Sequence, residues 1–308
     1  IIVLSVGRSD YDRYYPIIKK LNNNSKIDLY LYLTKAHQSK IFGKTINFVD
    51  KKFKILKKKI ETKKVFNNDT KKEITKNFSE DLTNLSDQIK SKNPDFLIVL
   101  GDRYEMLLGP VAAAPFNVPV IHFYGGAVTE GAIDELIRHS ITKMSHYHFV
   151  ALDTYKKRLI QLGEEEWRVK KIGIHELNYL KKIKKLNKKE LSKKFNFNFI
   201  DPYLLVTYHP VTLELQNLNY QLKSLAYALK RTKLNIIFTY PNADPGYEKI
   251  VRFIKKNFKN KNKYKIFKNA GLNVYSSLMK NCHAVIGNSS SGIVEAASFK
   301  RPVVNIGT

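Results

Sequence analysis

The chain is short of cysteine, of acidic residues and of long apolar runs, and each shortage excludes something. A single thiol, Cys282, leaves no internal disulfide framework and no multi-cysteine zinc site. It fits a reducing compartment. No apolar stretch nears the roughly 20 residues that span a bilayer. No basic-then-apolar leader opens the residues given. The chain begins Ile1-Ile2-Val3-Leu4 inside a strand-like run and stops at Thr308 after another, so both ends read as cut from a longer protein.

The acid shortage is the largest imbalance. Asp plus Glu number 27 against 54 Lys plus Arg, a net charge of +27 in 308 residues. Such a surplus raises nucleic acid or an anionic membrane as a partner. Its distribution argues otherwise. Between Pro94 and Val150 six acids (Asp95, Asp102, Glu105, Glu130, Asp134, Glu135) outnumber three bases (Arg103, Arg138, Lys143), a local charge of −3. The remainder therefore carries +30, mostly in Lys-rich stretches such as Lys51–Lys64, Lys181–Lys194 and Lys255–Lys268. These read as solvated faces. Base reading would need a recognition helix, a zinc module or an aromatic sheet, and none is present, so no nucleic acid is expected. A general pull on anionic small substrates remains.

What is present is a succession of short apolar runs spaced like strands between helices. Ile1–Val6, Ile27–Leu33, Phe96–Leu100, Val118–Phe123 and Tyr147–Val150 form one set; Tyr203–Tyr208, Leu234–Thr239, Tyr264–Phe267, Ala284–Gly287 and Pro302–Ile306 form a second. Helical patterns separate them: Ser79–Lys90, Arg103–Ala114, Ile133–Met144, Thr154–Gln161, Lys188–Phe195, Gln216–Arg231, Pro245–Phe258, Val274–Lys280 and Ser291–Ser298. Continuous apolar strands alternating with helices predict α/β architecture with parallel sheets covered on both faces. The length fits two domains, predicted at 1–172 and 173–308, with Gly163–His175 as linker and Lys35–Thr75 as an irregular basic region. In such folds ligands bind beyond the carboxyl ends of the strands.

The motifs cluster at those ends. Gly7-Arg8-Ser9-Asp10-Tyr11 leaves the first strand; a glycine turn into a helix suits an anion, and Arg8 can pair with phosphate. The pattern is not GxGxxG, which sets NAD aside. Gly101-Asp102-Arg103 closes Phe96–Leu100, so Asp102 reads as an acid–base group, as the cap of the next helix, or as both. The run Gly125 to His139 carries three glycines, then Glu130, Asp134, Glu135 and Arg138; Asp134 and Arg138, four apart, share a helical face, as a surface ion pair or as part of a site. His209-Pro210 ends Tyr203–Tyr208 and places an imidazole where it can act as acid, base or phosphate donor. Pro241-Asn242-Ala243-Asp244-Pro245-Gly246 ends the next strand as a turn. Gly287-Asn288-Ser289-Ser290-Ser291-Gly292 opens a helix after a strand, converging hydroxyls and backbone amides on one point, with Glu295 one turn on. A serine N-cap is the plainer reading of that segment.

Together these segments resemble the UDP-N-acetylglucosamine 2-epimerases. GDRYEML, HFYGGAVTEGAIDELIRHSITKMSHYHFVA and YKKRLIQLGEEEWRVKKIG carry most of the likeness, with VGRSDY, VTYHPVT, TYPNADPG, GNSSSGIVEA and RPVVNIGT falling in family order. The pattern is most similar to the hydrolysing branch of sialic- and legionaminic-acid pathways. The resemblance implies a GT-B fold, two Rossmann-like domains with the nucleotide sugar between them. It implies elimination of the nucleotide across C1 and C2 to a glycal and return of water to release a free 2-epimerised sugar, without metal or cofactor. It carries Asp102, Asp134, Glu135, Arg138 and His209 to the reacting sugar and leaving phosphate, and Arg8, Asn242, Asp244, Ser289, Ser290 and Glu295 to the nucleotide. It further implies a cytoplasmic homo-oligomer, dimer or tetramer, and closing helices after the final GT. The chain departs from the family pattern at Ala127, where relatives carry an acid, and at Tyr124, where Glu or His is frequent; Glu130 is the substitute acid.

Overall fold

The computed structural model describes residues 1–39, 44–56, 71–242 and 244–307. The first unit contains β1 (Ile2–Ser5), α1 (Arg8–Asn22), β2 (Tyr30–Leu33), β3 (Lys54–Leu56), α2 (Lys71–Lys92), β4 (Leu97–Leu100), α3 (Leu108–Ala113), β5 (Val120–Phe123), α4 (Asp134–Lys143), β6 (Tyr147–Val150), α5 (Asp153–Gln161) and β7 (Val169–Lys171). Helix α6 (His175–Lys182) leads onward to α7 (Lys188–Phe195), β8 (Tyr203–Thr207), α8 (Leu218–Lys230), β9 (Asn235–Thr239), α9 (Tyr247–Asn257), β10 (Tyr264–Phe267), α10 (Gly271–Asn281), β11 (Ala284–Gly287), α11 (Ser290–Val294) and β12 (Val303–Asn305). The chain divides into two compact units, Ile1–Glu176 and Leu177–Thr308.

Each unit is built on a parallel sheet, in the order β3-β2-β1-β4-β5-β6-β7 in the first and β10-β9-β8-β11-β12 in the second. Both orders reverse direction once, between β1 and β4 and between β8 and β11. That reversal is the switch point of a doubly wound sheet. The α/β class expected from the sequence is what these sheets form.

The apolar runs explain the sheets. β1, β4 and β8 are buried at every residue, as strands covered on two faces must be. In the second unit alternate side chains feed two separate layers. Tyr203 and Leu205 of β8, Ile237 of β9 and Val285 of β11 pack on one side. Leu204, Val206, Ile236, Phe238 and Ala284 pack on the other. Apolar residues of α7 and α10 cover the first face and those of α8 and α9 the second.

Two strands were not expected, and both are sheet edges. Among the described residues β3 pairs only with β2, and its residues Lys54, Ile55 and Leu56 run from exposed to buried. β7 pairs only with β6 and buries Val169 alone of its three residues, so the predicted linker Gly163–His175 in fact contains the last strand of the first sheet. The region 35–75 is likewise not wholly irregular. It holds two short 3-10 turns (Lys35–Gln38, Thr45–Phe48), β3 and the start of α2, while positions 40–43 and 57–70 lie outside the described residues. Helix α1 encloses Pro16, a residue that costs an isolated helix interior about 3 kcal/mol. Among the described residues no helix is long and apolar enough to cross a membrane.

Candidate functional site

In the first unit the chemistry gathers just beyond β4 and β5. The guanidinium of Arg138, on α4, is only 1% exposed, so the surface ion pair considered for this arginine does not describe it. One amino group contacts the Asp102 carboxylate and the Thr129 hydroxyl, the latter at 2.6 Å. The other donates to the Ala127 carbonyl at 2.8 Å and to Glu135 at 2.7 Å. Glu135 also accepts the Thr129 amide at 2.7 Å and faces the His139 ring at 3.0 Å. Burial pushes the Glu135 carboxyl up, but the Thr129 amide, His139 and Arg138 outweigh it and hold it below its usual value.

Asp102 does not cap the helix after it. Arg103 takes the position ahead of the following 3-10 turn and makes no capping bond. The Asp102 side chain turns to Arg138 instead and keeps 32% of its surface open. Beneath it, His122 is wholly buried on β5, bonded to the Gly101 carbonyl at 2.8 Å and facing the Thr142 hydroxyl at 3.2 Å. Burial draws its pKa down to about 4, so the ring is neutral at ordinary pH.

The other predicted residues of this unit are spread around that centre. Asp134 opens α4, one turn before Arg138. Glu130 is exposed in the turn ahead of the helix, which starts at Asp134 and not at Glu130. Arg8 opens α1 directly beyond β1; its side chain lies outside the described parts. Sequence reasoning missed Thr129, the Ala127 carbonyl and His139. All three lie in the quoted Gly125–His139 run, but nothing local marked them as partners of Arg138.

In the second unit the switch point is tied by a reciprocal pair. The His209 amide donates to the Asn288 side chain at 2.7 Å, and that side chain returns a bond to the His209 carbonyl at 2.9 Å. The Asn242 amide donates to Nδ1 of His209 at 3.1 Å. Nδ1 is thus the acceptor nitrogen, which leaves the proton of the neutral ring on Nε2. Predicted His209, Asn242 and the 288–291 segment are thereby brought together across β8, β9 and β11.

Ser289 is the N-cap of α11, its hydroxyl accepting the Ser291 amide at 3.4 Å. Its hydroxyl also meets that of Ser291 at 3.0 Å, and Tyr275 meets Ser291 at 2.6 Å. The cap expected of this segment is there, with a chain of hydroxyls beside it. Helix α11 is shorter than expected: Ser290 is its first residue, and Glu295 already stands past its end, before a 3-10 turn. Asp244 lies in the turn before α9, where its carbonyl accepts the Tyr247 amide at 3.0 Å. Gly287 makes the close approach of the two loops possible. A Cβ there would lie 1.8 Å from the Thr207 carbonyl oxygen, at a φ of +142°.

Comparison with known proteins fits this arrangement. Residues 19–308 match the family UDP-N-acetylglucosamine 2-epimerase. A Campylobacter jejuni protein named GDP/UDP-N,N'-diacetylbacillosamine 2-epimerase (hydrolyzing) is 41% identical over 100% of this chain and 80% of its own length. Legionella pneumophila UDP-N,N'-diacetylbacillosamine 2-epimerase (hydrolyzing) is 32% identical over 100% of this chain and 81% of its own. The Neisseria meningitidis UDP-GlcNAc 2-epimerase bound to UDP-GlcNAc superposes with a TM-score of 0.77 at 19% identity, covering 99% of this chain and 82% of that one, a likeness of fold. The chain belongs to the UDP-N-acetylglucosamine 2-epimerase family.

Proposed function

We propose that this chain is a hydrolysing nucleotide-sugar 2-epimerase. It takes a UDP- or GDP-linked 2-acetamido sugar, inverts C2, and releases the free sugar with the nucleoside diphosphate. The observation that carries the reading is the Asp102–Arg138–Glu135 assembly at the carboxyl end of the first sheet, in a chain of this family. The hydrolysing names of the C. jejuni and L. pneumophila relatives support release of a free sugar, and their diacetylbacillosamine substrates support a diacetamido sugar as the first one to try here.

In the first step a carboxylate takes the proton from C2. The C2–H electron pair becomes the C1=C2 bond, and the C1–O bond to the diphosphate breaks. In the second, water adds its oxygen at C1, a proton returns to C2 from the opposite face, and the water gives up a proton to a base. Asp102 is assigned as the first base, because its open carboxylate is aimed by Arg138 at the end of β4. Asp134 is the alternative, and Glu130 is kept as the second acid. The guanidinium of Arg138 is turned toward Asp102, Glu135, Ala127 and Thr129, so we assign it to orienting Asp102 rather than to the diphosphate. His209, with a proton on Nε2, donates to the leaving phosphate. Arg8, Asn242, Asp244, Ser289, Ser290 and Glu295 complete the nucleotide contacts. A cytoplasmic homo-oligomer belongs to the same proposal, and light scattering tests the oligomer.

The deciding experiment incubates the protein in D2O with UDP-N-acetylglucosamine and with UDP- and GDP-linked N,N'-diacetylbacillosamine, and follows the products by NMR. Free nucleoside diphosphate and a free 2-epimerised sugar carrying deuterium at C2 are expected. A product still joined to its nucleotide would turn the reading to the non-hydrolysing reaction.

A further inference from the structure

Tyr124 stands one residue past β5, directly before Gly125-Gly126, at a left-handed φ of +67° that side chains other than glycine seldom adopt. What holds it there is its own side chain. The phenol donates to Glu176 at 2.5 Å and contacts Nδ1 of His175, while the His175 amide donates back to it at 3.3 Å. The two rings stack with centroids 5.5 Å apart. Nε2 of His175 is bonded to the Arg13 carbonyl at 2.9 Å, which leaves Nδ1 as the acceptor nitrogen of the neutral ring, competing with Glu176 for the phenol hydrogen. Arg13 approaches the other Glu176 oxygen at 3.7 Å, and Glu176 itself is buried. Two residues at the start of α6 thus hold the hydroxyl, and Arg13 of α1 braces both of them.

From this residue the chain passes through a closely packed glycine to residues that bond Arg138. A Cβ on Gly126 would lie 2.6 Å from the Tyr155 carbonyl, and Arg158 holds the Gly126 carbonyl. The next residue, Ala127, offers its carbonyl to Arg138, and Thr129 binds both Arg138 and Glu135. The course of the loop is therefore set at one end by Tyr124 and read at the other by the guanidinium that aims Asp102.

We propose that Tyr124, clamped by His175 and Glu176, is a positioning residue for the reaction, acting through the glycine loop on Arg138 and Asp102; the proposal rests on the hydrolysing-epimerase reading above. Tyrosine at this position thereby serves the loop and not the sugar, in a chain that carries Ala127 where the family resemblance implies an acid.

Tyr124→Phe keeps the ring and removes the hydroxyl. It is expected to lower kcat about 10- to 100-fold with KM changed less than about twofold, the size of effect that small misplacements of reacting groups produce. Amide hydrogen exchange at Gly126–Thr129 is expected to quicken while exchange in β4 and β5 stays as it was. Glu176→Ala should reproduce both effects, and Glu176→Gln, which keeps an acceptor oxygen, should restore most of the rate. These two variants decide the matter if Tyr124→Phe does not fold. Wild-type kcat and unchanged loop exchange in Tyr124→Phe or Glu176→Ala would overturn the proposal. Should the native protein release no nucleotide from any sugar tried, the functional reading falls, and the exchange pattern alone decides whether the clamp sets the loop.

Discussion

The two units share a strand order around their switch points but line them differently. Beyond β4 and β5 the first unit sets a buried arginine among two carboxylates, with a neutral histidine packed beneath. Beyond β8 and β11 the second offers an imidazole, an amide side chain, serine hydroxyls and backbone amides, with no ion pair among the bonds that join His209 to Asn242 and Asn288. The difference matches the chemistry proposed for each. Removing a proton from carbon calls for a charged base held in one place. Receiving a phosphate calls for donors that need no net charge. On the proposed reading, one topology serves a reactive half and a receptive half.

The sharpest way to break that division is Asp102→Asn. The neutral isostere should abolish nucleotide release by about 10³-fold or more while leaving nucleotide affinity near that of the native protein. Titration with UDP alongside a turnover assay checks both, and near-normal turnover would remove Asp102 from the reaction. Arg138→Leu comes next, because it strips a buried cation from two carboxylates. It should cost about 3 kcal/mol of stability, less to the extent that water screens the partly open Asp102 and Glu135, and it should abolish turnover; denaturant melts measure the first effect.

In the second unit the effects should be smaller and of another kind. Asn288→Ala removes both bonds to the His209 backbone. It is expected to weaken UDP binding about tenfold, roughly one ordinary hydrogen bond, with a lesser effect on the chemical step. Equal losses in binding and in chemistry would erase the distinction between the halves. The gentlest test uses pH. His122 has a folded pKa of about 4 against an ordinary 6.5, so the unfolded chain takes up a proton that the folded one refuses. Its contribution to stability is full above pH 6.5 and is lost as the pH falls toward 4. Imidazole nitrogen shifts should show the ring neutral down to that point, and a ring charged at pH 6 would count against its buried setting.

The sequence revealed strands and site in unequal measure. The central runs were visible because a strand covered on both faces must be apolar at every residue, as Leu97–Leu100 is. The edge strands β10 and β12 were visible because they too are short apolar runs, although they bury less. β3 and β7 were hidden because an edge strand buries so little that lysines suffice. The strand-end positions of Asp102, His209 and the serine segment were legible because they closely follow such runs. Their partners were not, because topology and not spacing supplies them. Arg138 meets Asp102 across 36 residues, and Tyr124 meets Glu176 across 52. The family likeness implied roles for the site residues but gave no hint that Arg138 is buried or that His175 and Glu176 hold the Tyr124 hydroxyl.

Gly287 has a consequence for the evolution of this chain. Its hydrogen in place of a side chain lets the end of β11 lie against the Thr207 backbone, and any larger residue would collide with the main chain rather than with a movable side chain. In a saturation library read by nucleotide binding, position 287 should accept no other amino acid, alanine included. The neighbouring serines, which contribute single hydroxyls, should tolerate several. The second half of the molecule would then drift freely in its polar groups while this one backbone crossing stays fixed.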